Sequence, residues 1–325
     1  MAIVLSHVKK IRHRKLELTK QERKIIVVIV NVILTIIALN YVIKLAWRNI
    51  YLISKYSFST LALIFASMFL IDLLSALRIK LLFGNVSLSK AFLLHLYGLI
   101  LSDVTPGRIG YAIIIKELSR EANTTLGKGI SNILIINATD TAVKIIVIAS
   151  VLLYLIFLGA VSITAKYVFG VIITGIILLG AIILAYYIIS RDNKIKRAII
   201  KKFGGYEFIS AIIGNNTNDN NGNGFMVSTI FSVLILLASM LSFYLYAMSF
   251  GYNFLEAIVS YLFIALSAGI PLGIGGIGIQ EGACIIAGSL LGKTLEASVL
   301  AVIYRVLPMI WHSFGLIYIF FYNEQ

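Results

Sequence analysis

Six stretches of this chain run apolar for the length needed to cross a lipid bilayer: residues 25–43, 60–77, 141–160, 167–189, 226–248 and 297–320. An α-helix rises 1.5 Å per residue, so about 20 residues cover a hydrocarbon core roughly 30 Å thick. Inside lipid every backbone N–H and C=O must be bonded within the chain, and a helix achieves this without a partner. The pattern predicts an all-α, polytopic membrane helix bundle with about six spanning helices. Composition agrees. Of 325 residues, 60% are hydrophobic and 13% charged, against about a quarter charged in a soluble domain.

Two further apolar regions are interrupted. Residues 91–101 and 109–115 flank Ser102-Asp103-Val104-Thr105-Pro106-Gly107-Arg108, and residues 255–270 and 279–292 flank Pro271-Leu272-Gly273-Ile274-Gly275-Gly276-Ile277-Gly278. Proline and glycine at this density break helices. The backbone they release has to be buried in protein or line a cavity. Each region is therefore expected to be a re-entrant or broken-helix hairpin, with turns at Pro106 and Gly107 and at Pro271, Gly273, Gly275, Gly276 and Gly278. Span, span, broken hairpin, span occurs once before residue 161 and once after it. With three spans per half, the second half would be an inverted repeat of the first (halves 25–160 and 161–325), a plan common among transporters.

The net charge of +14 does not point to nucleic acid, because the basic residues sit beside the apolar runs. Residues 1–24 form a basic segment, and residues 190–224 a polar loop that is basic at first and then rich in Asn and Gly. With the N-terminus inside and both hairpins re-entrant, inner segments hold 20 Lys and Arg and outer segments hold 5. That asymmetry predicts a multi-pass cell-membrane protein with both termini cytoplasmic and a single transmembrane domain over 25–325. It does not separate six spans from eight to ten. The run 25–43 ends at Lys44 without a small-residue cleavage site, which reads as a first span, not a signal peptide.

Polar groups are informative where polarity is costly. A charge at the bilayer centre costs at least about 2.5–3.5 kcal/mol and is usually paired or functional. Asp103 and Arg108 bracket a turn, and an arginine there is well shaped to hold phosphate. Gln280 and Glu281 open the helix after the glycine run. Arg305 lies deep in an apolar span, before Pro308 and His312, and needs an anion: Glu281, Asp140 or a ligand phosphate. Asp140 and Lys144 are four apart, as in an intrahelical pair. Arg78 follows Asp72 at the end of the second span, where it can snorkel to the cytoplasm.

Other signals lead nowhere. Gly273 to Gly278 spells G-x-G-x-x-G, but between membrane helices and without the strand a dinucleotide site needs. No Walker A motif follows. His7, His13, His95 and His312 lack metal spacing, and His95 and His312 read as satisfied polar groups. Cys284 lies in an apolar run as an inert thiol. No cofactor, metal or catalytic set is expected.

Arg78, Thr105-Pro106-Gly107-Arg108-Ile109-Gly110, Asp140, the string Pro271 through Gly282, and Tyr304-Arg305 together resemble a flippase-like integral membrane family, the one named after the transmembrane region of lysylphosphatidylglycerol synthase. The order and spacing extend over nearly all of residues 25–320. Some members are fused to an aminoacyltransferase domain and others to a glycosyltransferase domain, and neither is expected in these 325 residues. The resemblance implies the lipid-moving part without the synthase. This chain departs from the family pattern at Tyr111, where an acid is usual, and at Ile136 and Asn137, where an acidic–basic pair is usual.

The expected function is movement of an anionic or polyprenyl-phosphate-linked lipid between leaflets. Arg108, with Arg305 or Arg78, would hold the phosphate. Glu281 and Asp140, with Asp103 and Gln280 nearby, would form the charge and gating network. The alternatives are a membrane subunit or enzyme of lipid aminoacyl- or glycosyl-transfer, with a partner enzyme subunit, and a structural subunit that transports nothing.

Overall fold

The computed structural model describes residues 50–105, 110–157, 222–268 and 276–322, with the single positions 40, 44, 47 and 180. The expected spans 25–43 and 167–189 lie outside the described residues apart from those single positions, and so do the segment 1–24 and nearly all of the loop 190–224. Among the described residues the fold is all-helical. A short 3-10 helix, Ile50–Lys55, precedes α1 (Phe58–Phe83), α2 (Leu88–Val104), α3 (Gly110–Glu121) and α4 (Leu126–Phe157). The second part holds α5 (Gly222–Met248), α6 (Phe254–Ser267), α7 (Ile279–Leu290) and α8 (Thr294–His312). A 3-10 turn, Ser313–Leu316, and α9 (Ile317–Tyr322) follow. Among the described residues, four stretches are long and apolar enough to cross a membrane: Phe58–Phe83, Leu126–Val151, Gly224–Met248 and Thr294–Ile319. Each contains or overlaps one of the expected spans.

Local chemistry sets the helix starts. Ser57 caps α1 by accepting the Thr60 N–H at 3.1 Å, as side-chain oxygens at this position do. Asn253 and Glu256 form a reciprocal capping box on α6, at 2.9 and 2.8 Å. The fourth helix is much longer than the apolar run 141–160 suggested, because Lys128, Ser131, Asn132, Asn137 and Asp140 interrupt the hydropathy but not the helix. Asn132, for example, donates to the Leu82 carbonyl of α1 at 3.0 Å.

Both broken regions are helical hairpins with their arms close to the expected limits. In the first, α2 and α3 run antiparallel, and Lys90 near the start of α2 meets Glu121 at the end of α3 at 2.6 Å. In the second, Lys293, just after α7, meets Glu256 at the start of α6, also at 2.6 Å. A Lys–Glu pair thus ties the open end of each hairpin, opposite its Pro/Gly tip. At 1.5 Å per residue the arms are roughly 18–26 Å long for 17, 12, 14 and 12 residues. That falls short of a 30 Å core. Long helix, hairpin, long helix therefore occurs twice, as α1–α2/α3–α4 and as α5–α6/α7–α8.

The buried apolar side chains form two clusters. One joins Met68, Phe243, Tyr246, Leu262, Cys284 and Leu300, and includes the second hairpin. The other joins Ala76, Phe83, Leu94, Ile114, Ile133 and Tyr318, and includes the first. The helix α1 runs through both, with Asp72 between Met68 and Ala76 along the chain. Apolar side chains such as Leu63, Phe69, Ile146, Leu237 and Ile310 stay exposed, which suits a lipid solvent.

Candidate functional site

The two hairpins are joined electrostatically through α8. Arg305, on that helix, places Nη2 3.7 Å from Oδ1 of Asp103 at the end of α2. Its Nε lies 3.9 Å from Oε1 of Glu281 in the first turn of α7. All three side chains are at most 13% exposed. His312, two turns further along α8, contacts the other Asp103 oxygen through Nδ1 at 2.9 Å. Pro308 stands between Arg305 and His312, and its ring nitrogen cannot donate the helical bond to Tyr304.

The position of Glu281 follows from the glycines before it. Gly276 and Gly278 have φ of +77° and +91°, a region L-residues rarely occupy. Their path turns the chain into α7 and aims the Gly278 N–H at Oε2 of Glu281, 2.7 Å away. One carboxylate oxygen thus caps the helix while the other faces Arg305. Gly278→Ala is expected to lower stability by about 1–2 kcal/mol, the cost of a side chain in such a conformation. Thermal unfolding in detergent measures it. Beside this corner a small hollow, with room on the order of a single water molecule, is lined by Ile264, Gln280, Glu281, Cys284, Ala301, Tyr304 and Arg305. The Gln280 amide nitrogen is buried there without a hydrogen-bond partner among the described residues.

A second group surrounds Asp72 on α1. Its Oδ2 accepts the Trp311 indole N–H of α8 at 2.7 Å, and its Oδ1 lies 3.2 Å from His95 Nε2 on α2. The other ring nitrogen of His95 meets the Tyr111 hydroxyl of α3 at 2.8 Å. A third group braces the long helices. Both terminal nitrogens of Arg78 pair with Asp140, at 2.6 and 3.2 Å. Ser232 of α5 bonds Arg78 at 3.0 Å and Asp140 at 2.5 Å, and continues to Thr139, which meets Ser228.

Several expectations change on this geometry. Arg78 does not snorkel; it is 5% exposed and turned inward by Asp140, whose carboxylate offers two acceptors at fork spacing. The hydrogen bonds of Asp140 run across helices to Arg78 and Ser232, and the charge of Lys144, one turn away, acts on it as well. Arg305 takes Glu281 as one of its expected anions, and Asp103 where Asp140 was also considered. His95 and His312 are satisfied polar groups. Arg108, Pro106, Gly107, Pro271, Gly273 and Gly275 lie outside the described residues. Among the described residues no group of three His, Cys, Asp or Glu stands together as a metal site would require.

The profile of a family described as the lysylphosphatidylglycerol synthase TM region matches residues 25–313, most of the chain and all of the polar groups just placed. The chain belongs to that family. It is therefore a multi-pass membrane protein with a lipid-related function. No curated protein and no solved structure matches the chain.

Within the lysylphosphatidylglycerol synthase TM-region family, the departures can be read in the structure. Tyr111, where the family resemblance implies an acid, supplies the hydroxyl that meets His95. Ile136 is buried in the apolar cluster of the first hairpin, and Asn137 is exposed. Sequence reasoning passed over the serines of α5. Ser228, Ser232, Ser239 and Ser242 fall on one helical face and are all buried. Their spacing of four, seven and three residues was the available signal.

Proposed function

We propose that this chain moves an anionic lipid, or a lipid-linked substrate bearing a phosphate, between the two leaflets of the cell membrane. The observation that supports this is Arg305 on α8, set between Asp103 of one broken hairpin and Glu281 of the other. Both contacts are longer than a hydrogen bond, so they are ion pairs held by charge and not by tight geometry. A phosphate offers the guanidinium a stronger, bidentate partner. Binding it would loosen the carboxylates that hold the two hairpins to α8, and its departure would restore them. Arg108, between α2 and α3 in the sequence, is the second phosphate ligand in this reading. Arg78, engaged with Asp140, braces the helices around the path. Both termini face the cytoplasm, as the charge asymmetry favours, and a separate enzyme subunit supplies or consumes the lipid.

Vesicles carrying the purified protein and a fluorescent phosphatidylglycerol test the reading, with quencher access to the label reporting leaflet exchange. Arg305→Gln is expected to slow exchange about tenfold or more, since a hydrogen bond to a charged group contributes about 1.5–3 kcal/mol. Exchange no faster than in protein-free vesicles, or unaltered by Arg305→Gln, would sink the proposal. The first outcome is what a non-transporting structural subunit predicts.

A further inference from the structure

We infer that Asp72 and His95 form a proton-binding site, and that lipid movement is coupled to its filling; the coupling, but not the site, rests on the transport reading above. The bonding pattern fixes where a proton can go. The Trp311 indole can only donate, so Asp72 accepts at Oδ2. A neutral His95 must carry its single proton on Nε2, because the alternative tautomer would set a ring lone pair against the Asp72 carboxylate. Nδ1 then accepts from the Tyr111 hydroxyl. In this state each of the three contacts has one donor and one acceptor, and the Asp72–His95 pair carries one negative charge.

One further proton has one place to bind, Nδ1 of His95. It converts the pair to carboxylate and imidazolium, with no net charge. It also reverses the neighbouring bond: Nδ1–H now donates, and the Tyr111 oxygen must accept. The Tyr111 hydroxyl proton has to turn to another acceptor. No other bond breaks, and loss of the proton restores the first state. Histidine is the side chain whose ordinary charge change falls between pH 5 and 8. Both Asp72 and His95 are nine-tenths or more buried, so the hydrogen bonds between them are shielded from competing partners.

The placement links proton binding to the hairpin. Tyr111 follows Gly110, the first residue of α3, and Trp311 precedes His312, which holds Asp103. The charged and titratable groups around the pair are Tyr111 on α3, Arg78 on α1 with Asp140 on α4, whose charges act on Tyr111, and His312 of α8 with Asp103 of α2. Arg78 and Asp140 already neutralise one another, which leaves Asp72 as the carboxylate that the proton serves.

The chain has two tryptophans, Trp47 and Trp311, so Trp47→Phe leaves Trp311 as a built-in reporter. In lipid nanodiscs its emission is expected to follow a one-proton titration. His95→Gln should abolish that titration and His312→Gln should keep it. Asp72→Asn, which retains an acceptor for the indole, should lower the proton affinity about tenfold or more, because the carboxylate that favours the charged ring is gone. Flat emission, a titration that survives His95→Gln, or a midpoint unmoved by Asp72→Asn overturns the site. In the vesicle assay, an inward pH gradient should accelerate exchange in the parent protein and not in His95→Gln. Exchange that ignores the gradient overturns the coupling alone. No exchange at all counts against transport, and the emission titration then decides the proton site by itself.

Discussion

Asp140→Ala is expected to cost about 3 kcal/mol of stability, read as a lower midpoint of thermal or denaturant unfolding in micelles. The aspartate is the charge partner of Arg78, whose side chain is 6% exposed. Its removal leaves a guanidinium in a poorly solvated site with Ser232 as its remaining hydrogen-bond partner among the described residues. Breaking a buried pair from one side costs about 3–5 kcal/mol. The low end applies because the Asp140 side chain keeps 26% exposure, so the pair is not fully enclosed by protein. Replacing both partners, Arg78→Met with Asp140→Leu, should cost less than Asp140→Ala, since no charge is then stranded. A double variant less stable than the single one would show that shape and not charge dominates this junction.

Gly110→Ala carries the next largest effect, for a reason unrelated to charge. A Cβ on Gly110 would run into the carbonyl carbon of Leu101 and the backbone nitrogen of Ser102, and would stand 2.5 Å from Leu101 Cβ. Backbone atoms cannot rotate aside as a side chain can, so α2 and α3 would have to separate. Overpacking of this kind costs about 1–3 kcal/mol, and rigid neighbours place this site in the upper part of that range. Gly282→Ala in α7 is the control. Nothing lies within 4 Å of its added methyl, and alanine is the better helix former, so it should be neutral or slightly stabilising. Equal losses at both positions would mean that the close approach of the two arms does not limit stability.

Much of this architecture was legible in the chain before any coordinates. The breaks at Pro106–Gly107 and Pro271–Gly278 marked both hairpins, because proline and glycine act locally and a local signal survives in one dimension. The first arm was expected at 91–101 and the last at 279–292. The helices are Leu88–Val104 and Ile279–Leu290. Hydropathy failed on α4, where Asn132 and Asp140 look hostile to a membrane helix and are bonded to α1. The site divides in the same way. Glu281 and Arg305 stood out as charges in apolar runs, and their association needed only that the hairpin pack on the last span. The Asp140 contact could not be found from spacing, because helical periodicity reveals neighbours three or four residues away and Arg78 is 62 residues distant. Trp311 gave no signal at all. An indole in an apolar run looks like packing until a carboxylate from another helix is seen beside it.

The corner between α2 and α3 has one more consequence. The Thr105 hydroxyl donates to the Leu101 carbonyl at 2.7 Å and accepts the Gly110 N–H at 3.0 Å. One side chain therefore closes the outgoing end of the first arm and the incoming end of the second. Elsewhere such loose ends are left for water to satisfy. Here the two arms carry a small part of their own solvent with them, one hydroxyl serving a carbonyl of the first and an N–H of the second.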